Sequence, residues 1–348
     1  MKAVVMAGGE GSRLRPLTAQ LPKPLLPVAG RPVMEHIVNL LRRHGITEIV
    51  ATVHYLADMI EEHFGDGSAF GVRMHYEREE TPLGTAGAVK QAHDFLRDDA
   101  FLIISGDSLT DIDLTALIAD HREHRVAATI ALTHVAQAFP FGIALTDDDH
   151  HITRFLEKPS WGSIFADTIN TGIYVLEPSI LDMLEPGKAY DFSHDVFPRL
   201  LEQNKTLLGH IAQGYWADIG TVGQYRQSCF DALNARVRLR IPGKAVSSGV
   251  FADEDANIHR TAYLEGPIVL GRNVRIEAGV RIEGPTIIGD NCTVGKSARL
   301  TRTITWNDVH IGEAAMIDGG IFADGNAIAA HSTISTAAVR GPACAANV

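Results

Sequence analysis

Short apolar runs alternate with helix-length amphipathic segments through the first two thirds of the chain. The pattern predicts strands at 2–6, 48–53, 72–76, 101–105, 127–132 and 142–145, and helices at 34–44, 57–64 and 87–95. Strands and helices that alternate in this way are typical of a parallel sheet covered by helices on both faces. We therefore expect the first domain to be an α/β domain with a doubly wound, mostly parallel sheet.

After about Val237 the spacing of large apolar residues changes to six positions. The residues in this phase are Ile258, Leu264, Leu270, Ile276, Ile282, Ile288, Val294, Leu300 and Trp306. This period fits neither a helix nor an alternating strand, but it fits a solenoid whose three flat faces each point one large side chain inward. One step is shorter, since Ile311 follows Trp306 by five positions, and Ile317 restores the period.

These two patterns divide the chain into four predicted segments. The α/β domain is expected at residues 1–236, a linker at 237–250, the repeat domain at 251–335 and a tail at 336–348. The length of 348 residues agrees with one large domain and a smaller one.

Composition narrows the range of partners. The chain is 45% hydrophobic and 21% charged, with a net charge of −11 and no cluster of basic residues. A polymeric nucleic acid is therefore an unlikely partner by charge. No apolar run approaches the roughly 20 residues that cross a bilayer, so no membrane association is expected.

The three cysteines and sixteen histidines form no recognisable motif. Cys229, Cys292 and Cys344 are too scattered for a disulfide framework or a zinc knuckle, and the start of the chain lacks the features of a secretory signal. We therefore expect a reducing cytoplasm. No HxxxH or HExxH pair occurs, so the histidines are expected on solvated surfaces.

The first predicted strand leads into the glycine-rich segment GGEGSRLRP at residues 8–16, followed by PKP at 22–24. Glycines allow backbone N–H groups to approach phosphate oxygens, and Arg13 and Lys23 offset the charge of a triphosphate. The dinucleotide motif GxGxxG would need glycine at Leu14, and the P-loop motif is absent. A tight turn with a surface arginine is the alternative to a nucleotide loop.

The strings GGEGSRLRPLT and PKPLLPV resemble the signature of the sugar-nucleotide pyrophosphorylases, a family of nucleotidyltransferases. EETPLGTAGA, ISGDSLTDIDL, FLEKP, NTGIYVLEP, DFSHDVFP and YWADIGTVGQY follow in the family's order. The strings are most similar to the bacterial mannose-1-phosphate guanylyltransferase branch, and the resemblance spans about residues 1–325. It implies a Rossmann-like nucleotidyltransferase domain followed by a left-handed β-helix of hexapeptide repeats.

The resemblance also implies roles for individual residues. The catalytic residues would be Arg13, Lys23, Asp107 and Asp218, of which Asp107 and Asp218 would hold Mg²⁺. The nucleotide would be bound by Ala7, Gly8, Gly9, Gly11, Ser12, Arg13, Lys23, Glu79, Pro82, Gly84 and Thr85. The sugar phosphate would be bound by Gly142, Glu157, Lys158, Asn170, Thr171 and His194.

Base preference is expected to depend on Glu79 or Glu80. Guanine presents an N1–H and an exocyclic amine, which a carboxylate accepts better than the glutamine typical of thymidylyl relatives. Either glutamate could instead be a surface charge at a helix entry. The sequence thus favours GTP as the nucleotide.

Two positions depart from the family's pattern. His194 replaces a common lysine in DFSHDVFP, and Ser105 replaces a frequent asparagine before Gly106-Asp107. Histidine is only partly charged at neutral pH, so the identity of the sugar phosphate is less certain than the type of reaction.

Three other interpretations remain open at this stage. The acceptor could be glucose 1-phosphate, a heptose phosphate or a cyclitol phosphate, with a nucleotide other than GTP. The chain could be a regulatory homologue that binds a sugar nucleotide without making it. The repeat domain could be an acyltransferase with His310 or His331 as base. Repeat domains of this kind often associate with copies of themselves, so we expect a homo-oligomer.

The metal assignment leads to a direct test. Replacing Asp107 by Asn removes a charge that Mg²⁺ needs but keeps the side chain's shape, so turnover should be abolished while the fold is retained. Pyrophosphate release and circular dichroism measure the two effects. A variant with a rate near that of the wild type would contradict the assignment.

Overall fold

The structure of the chain is a computed structural model that describes residues 1–134, 142–156 and 168–339. Residue contacts divide the chain into two units. The first comprises Met1–Glu10 and Met34–Trp216, and the second comprises Gly11–Val33 and Ala217–Val348. The glycine-rich segment therefore passes from the first unit into the second between Glu10 and Gly11.

A nine-stranded sheet is the framework of the first unit. Its strands in chain order are Ala3–Met6, Glu48–Val53, Arg73–Arg78, Phe101–Ser105, Ala128–His134, Ile143–Thr146, Ile152–Leu156, Thr168–Leu176 and Leu207–Ile211. Four of them lie side by side and parallel, in the order Arg73–Arg78, Glu48–Val53, Ala3–Met6 and Phe101–Ser105.

The remaining strands extend the sheet beyond Phe101–Ser105. Thr168–Leu176 runs antiparallel to that strand, and Ala128–His134 runs antiparallel to Thr168–Leu176 and parallel to Leu207–Ile211. Ile143–Thr146 and Ile152–Leu156 form an antiparallel pair at the edge. The predicted α/β class is confirmed, with a parallel half and a mixed half.

The helices of the described residues connect these strands. The α-helices are Val33–Arg43, Ala57–Phe64, Gly84–Gln91, His93–Leu96, Leu114–His124, Phe197–Glu202 and Val222–Leu233. Shorter 3₁₀ turns are Ser12–Leu14, Lys23–Leu25, Ser68–Phe70 and Pro178–Met183, and Phe192–Val196 is a π-helical turn. Short strands outside the large sheet are Pro27–Val28, Arg31–Pro32, Ser108–Thr110 and Trp216–Asp218.

The prediction of one helix over 87–95 is wrong. The chain forms a helix from Gly84 and leaves helical geometry at Ala92, where ψ is 11°, before His93–Leu96 begins. Ala92 and Leu96 are both buried in the core beneath the sheet. These two positions, four residues apart, would share one face of a straight helix as well, so the burial of their side chains does not require the break.

The second unit contains a left-handed β-helix built from three parallel sheets. The first sheet consists of Lys244–Ser247, Val250–Ala252, Ile268–Leu270, Thr286–Ile288, Ile304–Thr305, Ile321–Phe322 and Ala338–Val339. The second consists of Asn257–Ile258, Arg275–Ile276, Thr293–Val294, His310–Ile311 and Ala327–Ile328. The third consists of Tyr263–Glu265, Arg281–Glu283, Arg299–Thr301, Met316–Asp318 and Thr333–Ser335. Lys244–Ser247, which runs antiparallel to its neighbour, lies within the stretch predicted as linker.

The large apolar residues of the six-residue period form the core of this β-helix. Leu270, Ile276, Ile282, Ile288, Val294 and Leu300 are buried in one cluster, which also contains Ile311 and Ile317. Each stacks on its equivalent in the next coil, as Ile282 does on Leu300. The solenoid prediction is confirmed.

The predicted place of Trp306 in this core is wrong. Thr305, and not Trp306, is in register with Ile288, and Phe322 follows Thr305 in the next coil. The five-residue step therefore lies between Leu300 and Thr305. A coil that contains the five-residue step has 17 residues, as from Arg299 to Met316. The preceding coil, from Arg281 to Arg299, has 18. Thr305 fits the core because its hydroxyl accepts a hydrogen bond from Gly289 N at 3.2 Å.

The core of the β-helix gives a stability prediction. Ile282 is fully buried, so replacing it by Ala should lower the free energy of unfolding by about 3 kcal/mol through lost burial and the cavity left behind. The matched control is Met316→Ala, because Met316 is 47% exposed on the same sheet. Urea unfolding measures both, and equal effects would contradict the assigned register.

Candidate active site

The carboxyl ends of the parallel strands meet at one edge of the sheet and border a cavity of about 460 Å³. Ligands in open α/β sheets bind at this edge, because the loops that follow neighbouring strands converge there. The cavity is lined by Met6, Gly8, Gly9, Glu10, Thr52, His54, Glu79, Pro82, Gly84, Thr85, Ala88, Ser105, Asp107 and Asp191.

Seven of the predicted site residues lie together in this lining: Gly8, Gly9, Glu79, Pro82, Gly84, Thr85 and Asp107. Ala7 is buried behind them, where its N–H donates to Thr52 O at 2.8 Å. That bond continues the sheet by one residue, so the glycine-rich segment leaves the sheet at Gly8. The first unit thus forms a cavity from residues that are far apart in the chain.

Of the adjacent pair Glu79 and Glu80, Glu79 lines the cavity, whereas Glu80 is exposed. Leu83 N donates to Glu79 Oε2 at 2.9 Å, and a Cβ added to Gly8 would lie 2.8 Å from Glu79 Oε1. Burial raises the pKa of the Glu79 carboxyl, while the Leu83 N–H and nearby His54 act in the opposite direction. A half-buried carboxylate thus faces the backbone of the glycine-rich segment.

The wall formed by Gly84 and Thr85 depends on close backbone contact. Gly84 has φ +69°, and a Cβ there would lie 2.5 Å from the carbonyl oxygen of Tyr190. Tyr190 O also accepts the N–H groups of Ala86 and Gly87 at the start of the helix. Thr85 Oγ1 donates to Asp191 Oδ2 at 2.8 Å. The start of this helix is therefore hydrogen-bonded to both Tyr190 and Asp191.

Asp107 follows the strand Phe101–Ser105 at the same edge. Ser105 Oγ donates to Asp107 Oδ1 at 2.6 Å and so orients the carboxylate. The serine that departs from the family's pattern therefore provides a hydrogen-bond donor beside Asp107.

The second unit brings Gly11, Arg13, Lys23 and Asp218 together. Lys23 Nζ lies 3.4 Å from Asp218 Oδ1, and the side chain of Lys23 is only 10% exposed. Gly11 has φ +63°, and a Cβ there would lie 3.2 Å from Lys23 Cβ. A mostly buried ammonium group paired with a carboxylate therefore lies against the second half of the glycine-rich segment.

Gly220 has no Cβ and therefore leaves room for the side chains of Asp218 and Arg13. A Cβ at Gly220 would lie 2.5 Å from Asp218 Oδ2 and 3.2 Å from Arg13 Nη2. Arg13 and Ser12 are exposed. The cluster of Arg13, Lys23 and Asp218 thus has a buried part and a part open to an anionic ligand.

Of the residues predicted to bind the sugar phosphate, Gly142, Asn170 and Thr171 lie together and outside the lining of the larger cavity. Asn170 Nδ2 donates to Tyr174 Oη and Ser193 Oγ, and Asn170 N donates to Gly142 O at 2.8 Å. The hydroxyl of Thr171 is buried and donates to Ala131 O at 2.7 Å, so this side chain stabilises the sheet. Glu157 and Lys158 lie outside the described residues.

His194 lies in a different place from the nucleotide cavity residues. It is exposed and lines a separate cavity of about 390 Å³ in the first unit, together with Tyr190, Arg199 and Glu202. The backbone N–H of His194 donates to Oδ1 of Asp191, which lines the larger cavity. This contact is made by the backbone of His194 and not by its imidazole.

The two predicted magnesium ligands are both carboxylates. Asp107 belongs to the first unit and Asp218 to the second, and residues 1–134, 142–156 and 168–339 contain no group of three or more potential metal-ligating side chains. Two carboxylates nevertheless suit Mg²⁺, which completes its coordination with water and substrate phosphates. The donor chemistry fits, and the metal stays a prediction.

The lining also contains residues that were not predicted as site residues, namely Met6, Glu10, Thr52, His54, Ala88, Ser105 and Asp191. His54 follows the buried strand Glu48–Val53 directly, and its Nδ1 is 2.8 Å from Glu79 O. Asp191 begins the string DFSHDVFP and accepts from Thr85 Oγ1. The position of His54 after a parallel strand is a signal that the sequence contained, whereas the role of Asp191 depends on a contact across more than 100 residues.

Comparisons with known proteins agree with this geometry. A family model for nucleotidyl transferases matches residues 2–234, and a model for the bacterial transferase hexapeptide (six repeats) matches residues 267–302. A UTP–glucose-1-phosphate uridylyltransferase of Synechocystis is 36% identical, with 92% of this chain and 87% of the relative covered. A mannose-1-phosphate guanylyltransferase of Mycobacterium tuberculosis is 34% identical, with 80% and 77% covered.

A solved structure extends the likeness to a bound nucleotide analogue. HddC from Yersinia pseudotuberculosis, complexed with GMP-PN, has a TM-score of 0.57 and 25% identity, and the match covers 66% of this chain and 97% of HddC. The chain belongs to the nucleotidyl transferase family. It is a sugar-1-phosphate nucleotidyltransferase with a C-terminal hexapeptide β-helix. Among the described residues, no helix is long and apolar enough to span a membrane.

The cavity generates a prediction about its two adjacent glycines. Gly8→Ala should lower nucleotide affinity by about tenfold, because the new methyl group must displace the Glu79 carboxylate, while the flexible side chain lets the fold survive. Gly9→Ala is the matched comparison, since a Cβ there meets no atom within 4 Å. Calorimetric titration measures both affinities, and a smaller loss for Gly8→Ala than for Gly9→Ala would contradict the geometry.

Proposed function

We propose that this sugar-1-phosphate nucleotidyltransferase uses GTP and mannose 1-phosphate to form GDP-mannose and pyrophosphate. The observation that carries the choice of base is the carboxylate of Glu79 in the cavity of the first unit. One oxygen of Glu79 accepts Leu83 N–H and the other faces Gly8. A carboxylate accepts both the N1–H and the exocyclic amine of guanine, which uracil and thymine cannot match.

The relatives support both this proposal and one alternative. The Mycobacterium tuberculosis relative is named as a mannose-1-phosphate guanylyltransferase, and HddC was solved in complex with GMP-PN. The Synechocystis relative is named as a UTP–glucose-1-phosphate uridylyltransferase. UTP with glucose 1-phosphate is therefore the second candidate substrate pair.

The proposed reaction is an in-line attack by a phosphate oxygen of the sugar 1-phosphate on the α-phosphorus of the nucleotide, with pyrophosphate as leaving group. The nucleophile is already anionic, so no general base is needed and catalysis consists of positioning and charge stabilisation. We propose that Arg13 neutralises the β- and γ-phosphates and that Lys23 stabilises charge at the α-phosphate. Exposed Arg13 and mostly buried Lys23 suit these two roles.

The carboxylates have a separate proposed role. Asp107 and Asp218 would hold Mg²⁺, which supplies Lewis-acid polarisation of the phosphates when bound. Ser105 keeps the Asp107 carboxylate oriented, and Lys23 offsets the charge of Asp218. Glu157 and Lys158 are assigned to the sugar phosphate on the resemblance alone.

We also propose a cytoplasmic location and a homo-oligomeric state. The two described cysteines, Cys229 and Cys292, are free and buried, which agrees with a reducing compartment. The β-helix exposes flat sheet faces, including Tyr263 and Met316, that suit self-association.

The test is pyrophosphate release measured for GTP, UTP, dTTP, ATP and CTP, each with mannose 1-phosphate and glucose 1-phosphate. We expect GTP with mannose 1-phosphate to give the highest kcat/KM. Glu79→Gln should lower kcat/KM for GTP by about 10- to 100-fold, because hydrogen bonds to a charged acceptor are lost, and should leave UTP nearly unaffected.

Glu80→Gln is the matched control for this test, since Glu80 is the exposed neighbour of Glu79. It should keep the wild-type preference. A wild-type enzyme that prefers UTP, or a Glu79→Gln variant that retains the wild-type ratio of GTP to UTP activity, would overturn the choice of base. Release of no pyrophosphate from any pair would overturn the reaction itself.

A further inference from the structure

The six-residue period predicts Trp306 in the core of the β-helix. The observed register places Thr305 there instead. Because the step from Leu300 to Thr305 is shortened, Trp306 takes the place that Gly289 has in the preceding coil. Trp306 is nevertheless only 3% exposed. Something other than the β-helix core therefore covers the indole ring.

Tyr225 in the helix Val222–Leu233 provides this cover. Trp306 Nε1 donates to Tyr225 Oη at 2.9 Å, and the two rings meet edge to face with centroids 6.5 Å apart. Tyr225 is fully buried, and burial raises the pKa of its hydroxyl well above the usual value. The hydroxyl therefore keeps its proton and remains a donor as well as an acceptor.

The proton of Tyr225 is donated to the carbonyl oxygen of Pro27 at 2.6 Å. The thiol of Cys229, on the same helix, is a second and more distant donor to that oxygen at 3.8 Å. Tyr225 thus joins the β-helix, through Trp306, to the segment Gly11–Val33. All of these residues belong to the same unit.

The two chain segments joined at Tyr225 carry Lys23 and Asp218. Lys23 begins the turn Lys23–Leu25, which Leu26 N closes by donating to Lys23 O at 3.1 Å, and Pro27 is the next residue. Asp218 precedes Thr221, whose hydroxyl caps the helix that contains Tyr225. The segment that follows Lys23 and the helix that follows Asp218 are therefore joined at the buried hydroxyl of Tyr225.

We propose that Trp306 and Tyr225 are positioning residues, through which the β-helix sets the geometry of the Lys23–Asp218 pair. This inference rests on the proposed catalytic roles of Lys23 and Asp218. It gives the repeat domain a direct part in nucleotidyl transfer: any change that moves the shortened coil acts on the pair through two hydrogen bonds.

The experiment compares two variants that interrupt these contacts at different points. Tyr225→Phe keeps the ring and removes both hydrogen bonds of the hydroxyl, to Pro27 O and from Trp306 Nε1. Trp306→Phe replaces the indole by a smaller ring and removes only the hydrogen bond to Tyr225. Each should lower kcat by about tenfold with little change in the KM for either substrate, because a buried group is left unsatisfied and the charge at the α-phosphate is stabilised less well. The control is Ile276→Val, which disturbs the buried core of the same β-helix in a strand that pairs with Asn257–Ile258 and Thr293–Val294 and not with the shortened coil.

Hydrogen exchange gives a second measurement that does not need activity. The amides of residues 17–33, among them those of Leu26 and Val33, should exchange faster in Tyr225→Phe and Trp306→Phe than in the wild type. Ile276→Val should leave the exchange of this segment unchanged even where it lowers the thermal midpoint. Exchange is measured at a temperature far below unfolding, so that global opening does not contribute.

The outcomes separate the inference from the proposed function. Lower kcat with faster exchange in the two variants, and neither effect in Ile276→Val, supports positioning by Trp306 and Tyr225. Unchanged kcat and exchange in both variants overturns it, as does an equal effect of Ile276→Val. If the wild type releases no pyrophosphate, the proposed function fails, and the exchange of residues 17–33 alone decides whether the β-helix holds this segment.

Discussion

The burial of one ammonium group constrains the arrangement of the second unit. Lys23 is only 10% exposed at its side chain, and a cation removed from water needs a nearby opposite charge, which Asp218 provides at 3.4 Å. This requirement brings a segment near the start of the chain against one some 200 residues later. The left-handed geometry of Gly11 and the missing Cβ of Gly220 are consequences, because any side chain at either place would crowd the pair.

The two units use parallel strands for different purposes. In the first unit, long strands end together and leave their following loops to form a cavity with Glu79 and Asp107 in its wall. In the second, strands of two or three residues stack in coils and bury one large side chain per face. The parallel strands thus end around an open cavity in the first unit, whereas in the second they enclose a continuous apolar core.

Local sequence patterns predicted much of the fold but failed where a distant contact decides. The strands Glu48–Val53 and Phe101–Ser105 and the helix Ala57–Phe64 agree with the structure residue for residue. The phase of the last coils was assigned wrongly, because Trp306 is the larger side chain and Thr305 resembles a corner residue. Only the pairing of Thr305 with Ile288 shows which of the two is in the core.

The sequence by itself determined the two architectures, the glycine-rich segment and the residues that carry charge, since periodicity and motif are properties of neighbouring positions. Tertiary structure decided which of two adjacent glutamates faces the cavity, that the hydroxyl of Thr171 is used inside the sheet, and that His194 lines a separate cavity. It also decided that one tyrosine hydroxyl connects the β-helix to the segment of Lys23. These contacts join residues far apart in the chain, and their geometry follows from packing, which no local pattern encodes.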